Sequence, residues 1–300
     1  MFADLHLHSC FSDGTDTPEE AATLGRRHGF LALALTDHDT VEGCARLAAA
    51  CAQNGMESAS GTELTAEHKG HELHLLGYFL DPSHPRLLHE LARFQAVRQD
   101  RVREIVARLN YLHVPLQSET VFSLARCRSP GRPHVARALV QAGFCRSLDE
   151  AFERFLKRQR PAWVPKCKVS AVEAIALLHE AGGVAVLAHP VLTRADHLVG
   201  ELAAAGLDGL ECFHAKQSSA VADHYRRLAR QYGLLETGGS DCHGSSRGRP
   251  LLGSVRVPYE CFARLAAWAQ ARRAETPSDT ENAPCRVAGA ALGDRSMATS

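Results

Sequence analysis

The sequence predicts an α/β protein, a barrel of alternating strands and helices interrupted by a helical insertion. Three observations predict it. Apolar runs of strand length alternate with amphipathic helical stretches in both end portions of the chain. A strand-poor, helix-rich middle separates those portions. His, Asp and Glu residues recur where predicted strands end, the edge on which βα barrels carry their functional groups.

Met1 to Leu7 reads as the first strand. Thr17-Pro18-Glu19-Glu20 then starts a helix, with Thr as N-cap and Pro at the first position, and this helix runs to about His28-Gly29. Phe30 to Leu35 is a continuous apolar strand, after which Asp39 or Thr40 caps a helix reaching Asn54-Gly55. Met56 to Leu64 and His71 to Phe79 read as the third and fourth strands, and the alternation implies parallel strands joined by crossover helices. From Pro85 to about Pro161 helices dominate (Leu87 to Leu112, Val135 to Ala142, Leu148 to Leu156), with Pro130, Gly131 and Pro133 as punctuation. Alternation resumes with a helix at Ala171 to Ala181, a strand at Val184 to Ala188 and a helix at Ala195 to Ala205. It continues with a strand at Gly209 to Phe213, a helix at Ser219 to Tyr232, a strand at Leu234 to Thr237 and a last helix at Pro258 to Arg273. The division is therefore barrel over 1–84, helical insertion over 85–165, barrel again over 166–273, and a tail over 274–300 whose Ala, Ser, Thr and Pro predict disorder.

Bulk composition narrows the function classes. In 300 residues, Lys+Arg 34 balance Asp+Glu 34, so no global field gathers nucleic acid and an anionic substrate needs a local site. No module for DNA binding is visible. No apolar run approaches the ~20 residues that span a bilayer, and a ligand-type motif begins at residue 4 where a leader's apolar core would stand. The ten cysteines have no CxxC pair or regular spacing, which predicts reduced thiols and a cytoplasmic protein. The distinctive count is 17 histidines, side chains suited to metals and protons.

Many of these histidines fall at strand ends. His6 and His8, two apart on an extended segment, point to one side and can share an ion; Asp13 follows in a loop, where it also suits the Ser12-Asp13-Gly14-Thr15 turn. Asp37-His38-Asp39 ends the second strand, Glu63 the third, and His74 lies in the fourth. His189 follows the Val184 strand and Asp241-Cys242-His243 the Leu234 strand. So many ligands exceed the roughly four of a tetrahedral zinc. They suit two or three divalent ions bridged by carboxylates such as Glu63 or Asp241, and a shell without thiolate favours Mn, Fe or Zn. Neighbouring ions lower the pKa of a bridging water and neutralise a leaving oxygen. Within Asp37-His38-Asp39, Asp37 suits orienting a ligand imidazole and Asp39 a helix cap, while His68 and His71 suit a hairpin. Cys10 and Cys242 read as small buried neighbours of ligands.

The ordered segments Asp4-Leu5-His6-Leu7-His8-Ser9, Thr36-Asp37-His38-Asp39-Thr40, Gly61-Thr62-Glu63, His74-Leu75-Leu76-Gly77-Tyr78, Ala188-His189-Pro190 and Gly239-Ser240-Asp241-Cys242-His243 resemble the motifs of the polymerase and histidinol phosphatase (PHP) superfamily. The resemblance covers about residues 2 to 257. It implies a distorted (β/α)7 TIM-like barrel and a trinuclear centre held by His6, His8, Asp13, His38, Glu63, His74, His189, Asp241 and His243. Of these, His8, Asp13 and His243 would act in catalysis beside a metal-activated hydroxide. Gly131-Arg132-Pro133-His134-Val135-Ala136, with Ala151-Phe152 and Val164-Pro165-Lys166, is similar to the branch of nucleoside 3′,5′-bisphosphate phosphatases and a related 5′→3′ exoribonuclease. There Arg132 and His134 would reach a substrate phosphate, a role that a guanidinium fork and an imidazole donor suit. Lys166 and Arg249 are lesser candidates. The expected reaction is removal of the 3′-phosphate from a nucleoside 3′,5′-bisphosphate, such as pAp to AMP. The alternative is a 5′→3′ exoribonuclease on short 5′-phosphorylated RNA, which the absence of an aromatic stacking platform slightly disfavours. A histidinol-phosphate phosphatase, a polymerase proofreading module and a non-enzymatic metal-binding module are weaker readings.

Overall fold

The computed structural model describes residues 1–166, 169–247 and 250–275. Cys167, Arg249, Cys285 and the tail predicted beyond the last helix lie outside the described residues.

The first portion holds β1 (Phe2–Leu7), α1 (Pro18–Arg27), β2 (Phe30–Leu35), α2 (Cys44–Gln53), β3 (Glu57–His68) and β4 (His71–Tyr78). α1 starts as expected: Thr17 and Glu20 form a capping box, with Pro18 at the first turn. The middle holds α3 (Pro85–Tyr111), α4 (Ser118–Ala125), α5 (Arg132–Gln141) and the short α6 (Leu148–Ala151), which continues as a π-helical turn over Phe152–Leu156. The last portion holds β5 (Val169–Ser170), α7 (Ala171–Glu180), β6 (Val184–Leu187), α8 (Pro190–Thr193), α9 (Val199–Ala204), β7 (Gly209–His214), α10 (Ser219–Gln231), β8 (Leu235–Gly239), β9 (Val257–Pro258) and α11 (Tyr259–Glu275).

The result is a mixed α/β molecule with a nearly closed, barrel-like sheet in the order β8-β7-β6-β4-β3-β2-β1-β9. β1, β2 and β3 run parallel, as do β6, β7 and β8. β4 departs from the expected all-parallel pattern. It is antiparallel to both β3 and β6, because only the turn at Lys69-Gly70 joins it to β3 and a crossover helix needs a dozen or more residues. His68 and His71 flank that turn, as the hairpin reading required.

A second departure follows β2. Asp39 has φ +52, a left-handed backbone that an N-cap does not adopt, and α2 begins only at Cys44 after Gly43. Four short elements had no clear sequence signal: α4, β5, α8 and β9. The helical middle has its own core, including Val102, Ile105, Leu109, Val121, Val135, Leu139 and Leu156. At the start of the strands, α11 lies against β1, β2, β6, β8 and β9, and buries Phe262 and Leu265 on Ala3, Leu5 and Val184. That leaves the opposite, carboxyl end of the sheet for chemistry. No helix among the described residues is long and apolar enough to cross a membrane.

Candidate metal centre

Nine predicted side chains come together at the carboxyl edge. β3 runs on to His68, so that Glu63, expected to end the third strand, lies inside it, and Asp13 comes from the loop after β1. Four groups of ligand atoms, each spanning no more than 4.8 Å, could hold ions: His8, Asp13, His38 and His243; His6, His8 and Asp241; His6, Glu63 and His189; His38, Glu63 and His74. Every one of the nine appears, and His6, His8, His38 and Glu63 each serve two groups.

Glu63 is the hub. Its Oε2 lies 3.0 Å from His38 Nδ1, 3.2 Å from His8 Nε2 and 3.6 Å from His6 Nε2. Its Oε1 lies 2.6 Å from His74 Nδ1 and 3.0 Å from His189 Nε2. Across the floor, Asp241 Oδ1 stands 3.4 Å from His8 Nε2 and 3.5 Å from His243 Nδ1. Asp13 Oδ1 stands 3.2 Å from His243 Nε2. Burial alone would raise the Glu63 and Asp241 pKa values, yet the surrounding imidazoles, His38 and His74 on one and His243 on the other, hold both carboxyls well below the usual range. The same pairing outweighs the burial of His8 and pushes it up to about 9.

This donor set fits divalent ions. His6 Nε2 and His8 Nε2 face each other at 3.2 Å, although His6 Nδ1 is already taken by Glu211 Oε1 at 2.9 Å. Five imidazoles crowd one carboxylate, a density that shared cations relieve better than hydrogen bonds can. Three of the nine described non-glycine residues with positive φ lie here. His189 (φ 28), Asp241 (φ 52) and Asp39 (φ 52) all occupy positive φ, at a cost of order 1–3 kcal/mol each.

Several neighbours were missed in the sequence. Glu211, on β7, bonds His6 through Oε1 and accepts the His189 amide through Oε2 at 2.6 Å, so one buried carboxylate orients two of the nine. Its one signal in the sequence is a charged residue inside the apolar run Gly209 to Phe213, which by itself names no partner. His214 ends the same strand, with Nε2 3.7 Å from Asp241 Oδ2. Asp4 accepts the Ser240 amide at 2.9 Å, and burial raises its pKa to about 6.

Asp37 reaches a candidate ligand imidazole indirectly, through the Ser12 hydroxyl that stands 3.5 Å from His8 Nδ1. It accepts from the Ser9 amide at 2.7 Å and from the Ser9 and Ser12 hydroxyls, pinning the loop between His8 and Asp13. Asp39, freed from capping, accepts from Arg98 Nε and from Lys166 Nζ at 3.1 Å, and its carbonyl accepts from Gln95 at 2.9 Å. The helical middle grips the Asp13 loop as well: Arg137 donates to the Asp13 carbonyl at 2.6 Å and Cys127 to that of Ser12 at 3.2 Å. All eight described cysteines are free thiols; Cys242 is buried as expected, whereas Cys10 is only half-buried.

Between the strand ends and the helical middle lies a cavity of about 840 Å³. Asp13, His38, His74 and Asp241 line its floor; Arg98, Arg101, Arg132 and Lys166 line its walls. Arg132 meets the expectation of facing this space, with its guanidinium over the Phe152 ring. His134 does not line the cavity. It is fully buried, its Nδ1 accepts the Gly131 amide at 3.0 Å, and its ring lies beside the Ser12 backbone and Asp13.

A family profile described as the PHP domain matches residues 4–154. The chain belongs to the PHP domain family. It is 32% identical over 245 residues to a 5′-3′ exoribonuclease of Haemophilus influenzae, covering 80% of this chain and 89% of that one. It is 31% identical over 253 residues to a 3′,5′-nucleoside bisphosphate phosphatase of Chromobacterium violaceum, covering 82% and 88%. A solved structure from Bifidobacterium adolescentis, named for metal-dependent phosphoesterase activity, superposes with a TM-score of 0.81 at 32% identity, over 88% of this chain and 95% of the other. This PHP protein is thus a phosphoesterase, a hydrolase of phosphate ester bonds.

Proposed function

We propose that this phosphoesterase removes the 3′-phosphate of a nucleoside 3′,5′-bisphosphate, with the helices of residues 85–165 forming a cap over a distorted (β/α)7 barrel. The observation that carries this reading is the 840 Å³ cavity, which joins Asp13, His38, His74 and Asp241 to the cationic Arg98, Arg101, Arg132 and Lys166, with Glu72 and Asp149 also in its lining. Its size matches pockets for small molecules, roughly 300–1,000 Å³, rather than an open groove for a long strand.

The nine clustered residues His6, His8, Asp13, His38, Glu63, His74, His189, Asp241 and His243 would hold two or three divalent ions, manganese first, iron or zinc next. Such ions supply Lewis acidity and neutralise charge on the transferring phosphoryl group. Asp13, at the cavity floor beside His8 and His243, accepts a hydrogen bond from the attacking water and turns it toward phosphorus. His8 and His243 keep that carboxylate in place. Arg132 offers paired donors to the phosphate oxygens. His134 serves from behind, fixing the Gly131 amide at the start of the helix that presents Arg132.

A second reading, 5′→3′ exoribonuclease action on short 5′-phosphorylated RNA, is favoured by the Haemophilus influenzae relative. A side-by-side assay with manganese, using a nucleoside 3′,5′-bisphosphate and a 5′-phosphorylated oligoribonucleotide, separates the two. Phosphate release from the bisphosphate at higher kcat/KM supports the first reading; nucleotide release from RNA alone replaces it with the second. In the same assay His8→Ala abolishes turnover, whereas Arg132→Ala keeps the metal and raises KM. Equal metal loss in both variants would contradict this division of roles.

A further inference from the structure

The cap carries more positive charge than one phosphate needs. Arg98 and Arg101 stand one turn apart on the same face of α3, and Lys166 follows the segment that α3 holds through Arg101 to the Val164 carbonyl and Arg108 to the Trp163 carbonyl. Arg98 and Lys166 share one counter-ion, the buried Asp39, next in sequence to His38. Arg101 differs. Its Nε and Nη2 both turn to the Val164 carbonyl, at 3.0 and 2.8 Å, and no carboxylate bonds it among the described residues. Three residues of helix set it about 4.5 Å further along α3 than Arg98.

This wall is also partly dry. Burial and the nearby Arg132 and Arg98 charges lower the Arg101 pKa to about 10. Burial and Arg98 likewise lower that of Lys166 to about 8. Glu72 and Asp149 line the same cavity, and Glu72 and Glu104 offset part of the charge on Arg101. The like charges gathered in this part-buried wall still repel one another, and a dianion placed among them lowers that cost. A guanidinium already fixed by a carbonyl is pre-organised to meet phosphate oxygens with its remaining nitrogen.

We propose that Arg101, backed by Arg98 and Lys166, forms a second anion subsite in the cavity and receives the non-scissile terminal phosphate of the substrate nucleotide. The proposal rests on the nucleotide-phosphatase reading above and extends it: Arg132 and the floor hold the phosphate that leaves, and Arg101 the one that stays. The enzyme should then discriminate a bisphosphate from a monophosphate by this residue.

Two measurements on the full-length, metal-loaded protein test it. In the first, kcat/KM is compared for a nucleoside 3′,5′-bisphosphate and the matching nucleoside 3′-monophosphate. The preference for the bisphosphate should fall roughly ten- to hundredfold in Arg101→Gln, as expected for a lost charge-assisted hydrogen bond, and recover in part in Arg101→Lys. An unchanged preference, with both substrates declining together, would mark Arg101 as a strut for Val164 and overturn the proposal. Dependence on Arg101 confined to a 5′-phosphorylated oligoribonucleotide would overturn the mononucleotide assignment. In the second, calorimetry compares adenosine 5′-monophosphate with adenosine. Wild type should favour the phosphorylated ligand by about tenfold or more, and Arg101→Gln should lose that margin. Because binding needs no turnover, an enzyme that released no phosphate would sink the functional reading while this experiment still judged the subsite.

Discussion

At the residue scale, the chemistry rests on carboxylates that hold imidazoles in place. Glu211 is the clearest case, since it fixes His6 by its ring nitrogen and His189 by its backbone amide. Replacing Glu211 by Gln keeps the shape and removes the charge. Outer partners of metal-ligating histidines are worth about 10–100-fold in affinity. We therefore expect Glu211→Gln to retain its fold and lose metal to a competing chelator at roughly 10–100-fold lower concentration, measured as bound metal per chain after dialysis. An unchanged metal content would remove Glu211 from the centre. The nine clustered residues were legible because most lie in or just after strands within recognisable motifs, with Asp13 in the loop that follows β1. Glu211 was not: it lies inside a strand, where a single charged letter among apolar ones reads as an exception until its partners are known.

At the element scale, α5 shows how a recognised motif can place its residues differently from expectation. Gly131-Arg132-Pro133-His134 reads as two phosphate donors separated by a rigid residue. In the fold it is a helix start, and helical geometry sends Arg132 to the cavity and His134 inward to Gly131. Burial lowers the His134 pKa to about 4. The unfolded chain takes up this proton near pH 6.5, the folded chain only near 4, so stability falls as pH drops through that window. The loss amounts to on the order of 3 kcal/mol at full extent. Denaturant midpoints at pH 7.5 and pH 5 should converge more closely in His134→Asn than in the wild type; an identical pH dependence in both proteins would refute the assignment. Other elements were missed for plain reasons. β5 and β9 have two residues each, too few for an alternation to register, and the helix-strand rhythm of its neighbours hid the antiparallel run of β4, although the hairpin turn between His68 and His71 was legible. Asp39 was misread because a cap and a left-handed turn share the same residue preference, and only the partners Arg98 and Lys166 tell them apart.

At the scale of the whole molecule, the alternation of strands and helices was enough to place the ligands on one edge, and α11 against the opposite end explains why that edge alone is free. What the alternation did not convey is how firmly the helical middle is bound to the ligand loops. Arg137 and Cys127 grip one loop, Gln95 and Arg98 the other, so the middle supports the loops that carry the candidate ligands. Metal and stability should be linked accordingly. Stripping the ions with a chelator should lower the melting temperature by at least about 5 °C, as ligand linkage of a few kcal/mol predicts, and adding manganese back should restore it. A melting curve indifferent to metal would oppose the proposed centre.

The junction between β1 and β8 gives that linkage a mechanical sense. β9 covers only the beginning of this edge of β1, through Phe2 and Ala3. Further up, Gly239 lies so close to the His6 backbone that a Cβ there would stand 2.3 Å from its nitrogen, and Leu7 meets Cys242 in a single bridge. His6 and His8 stand on one bank of this seam, Asp241 and His243 on the other. An ion shared between them would be a rivet through the last unlaced stretch of the wall. The same atoms that prepare a phosphate for cleavage would then keep the barrel from springing open.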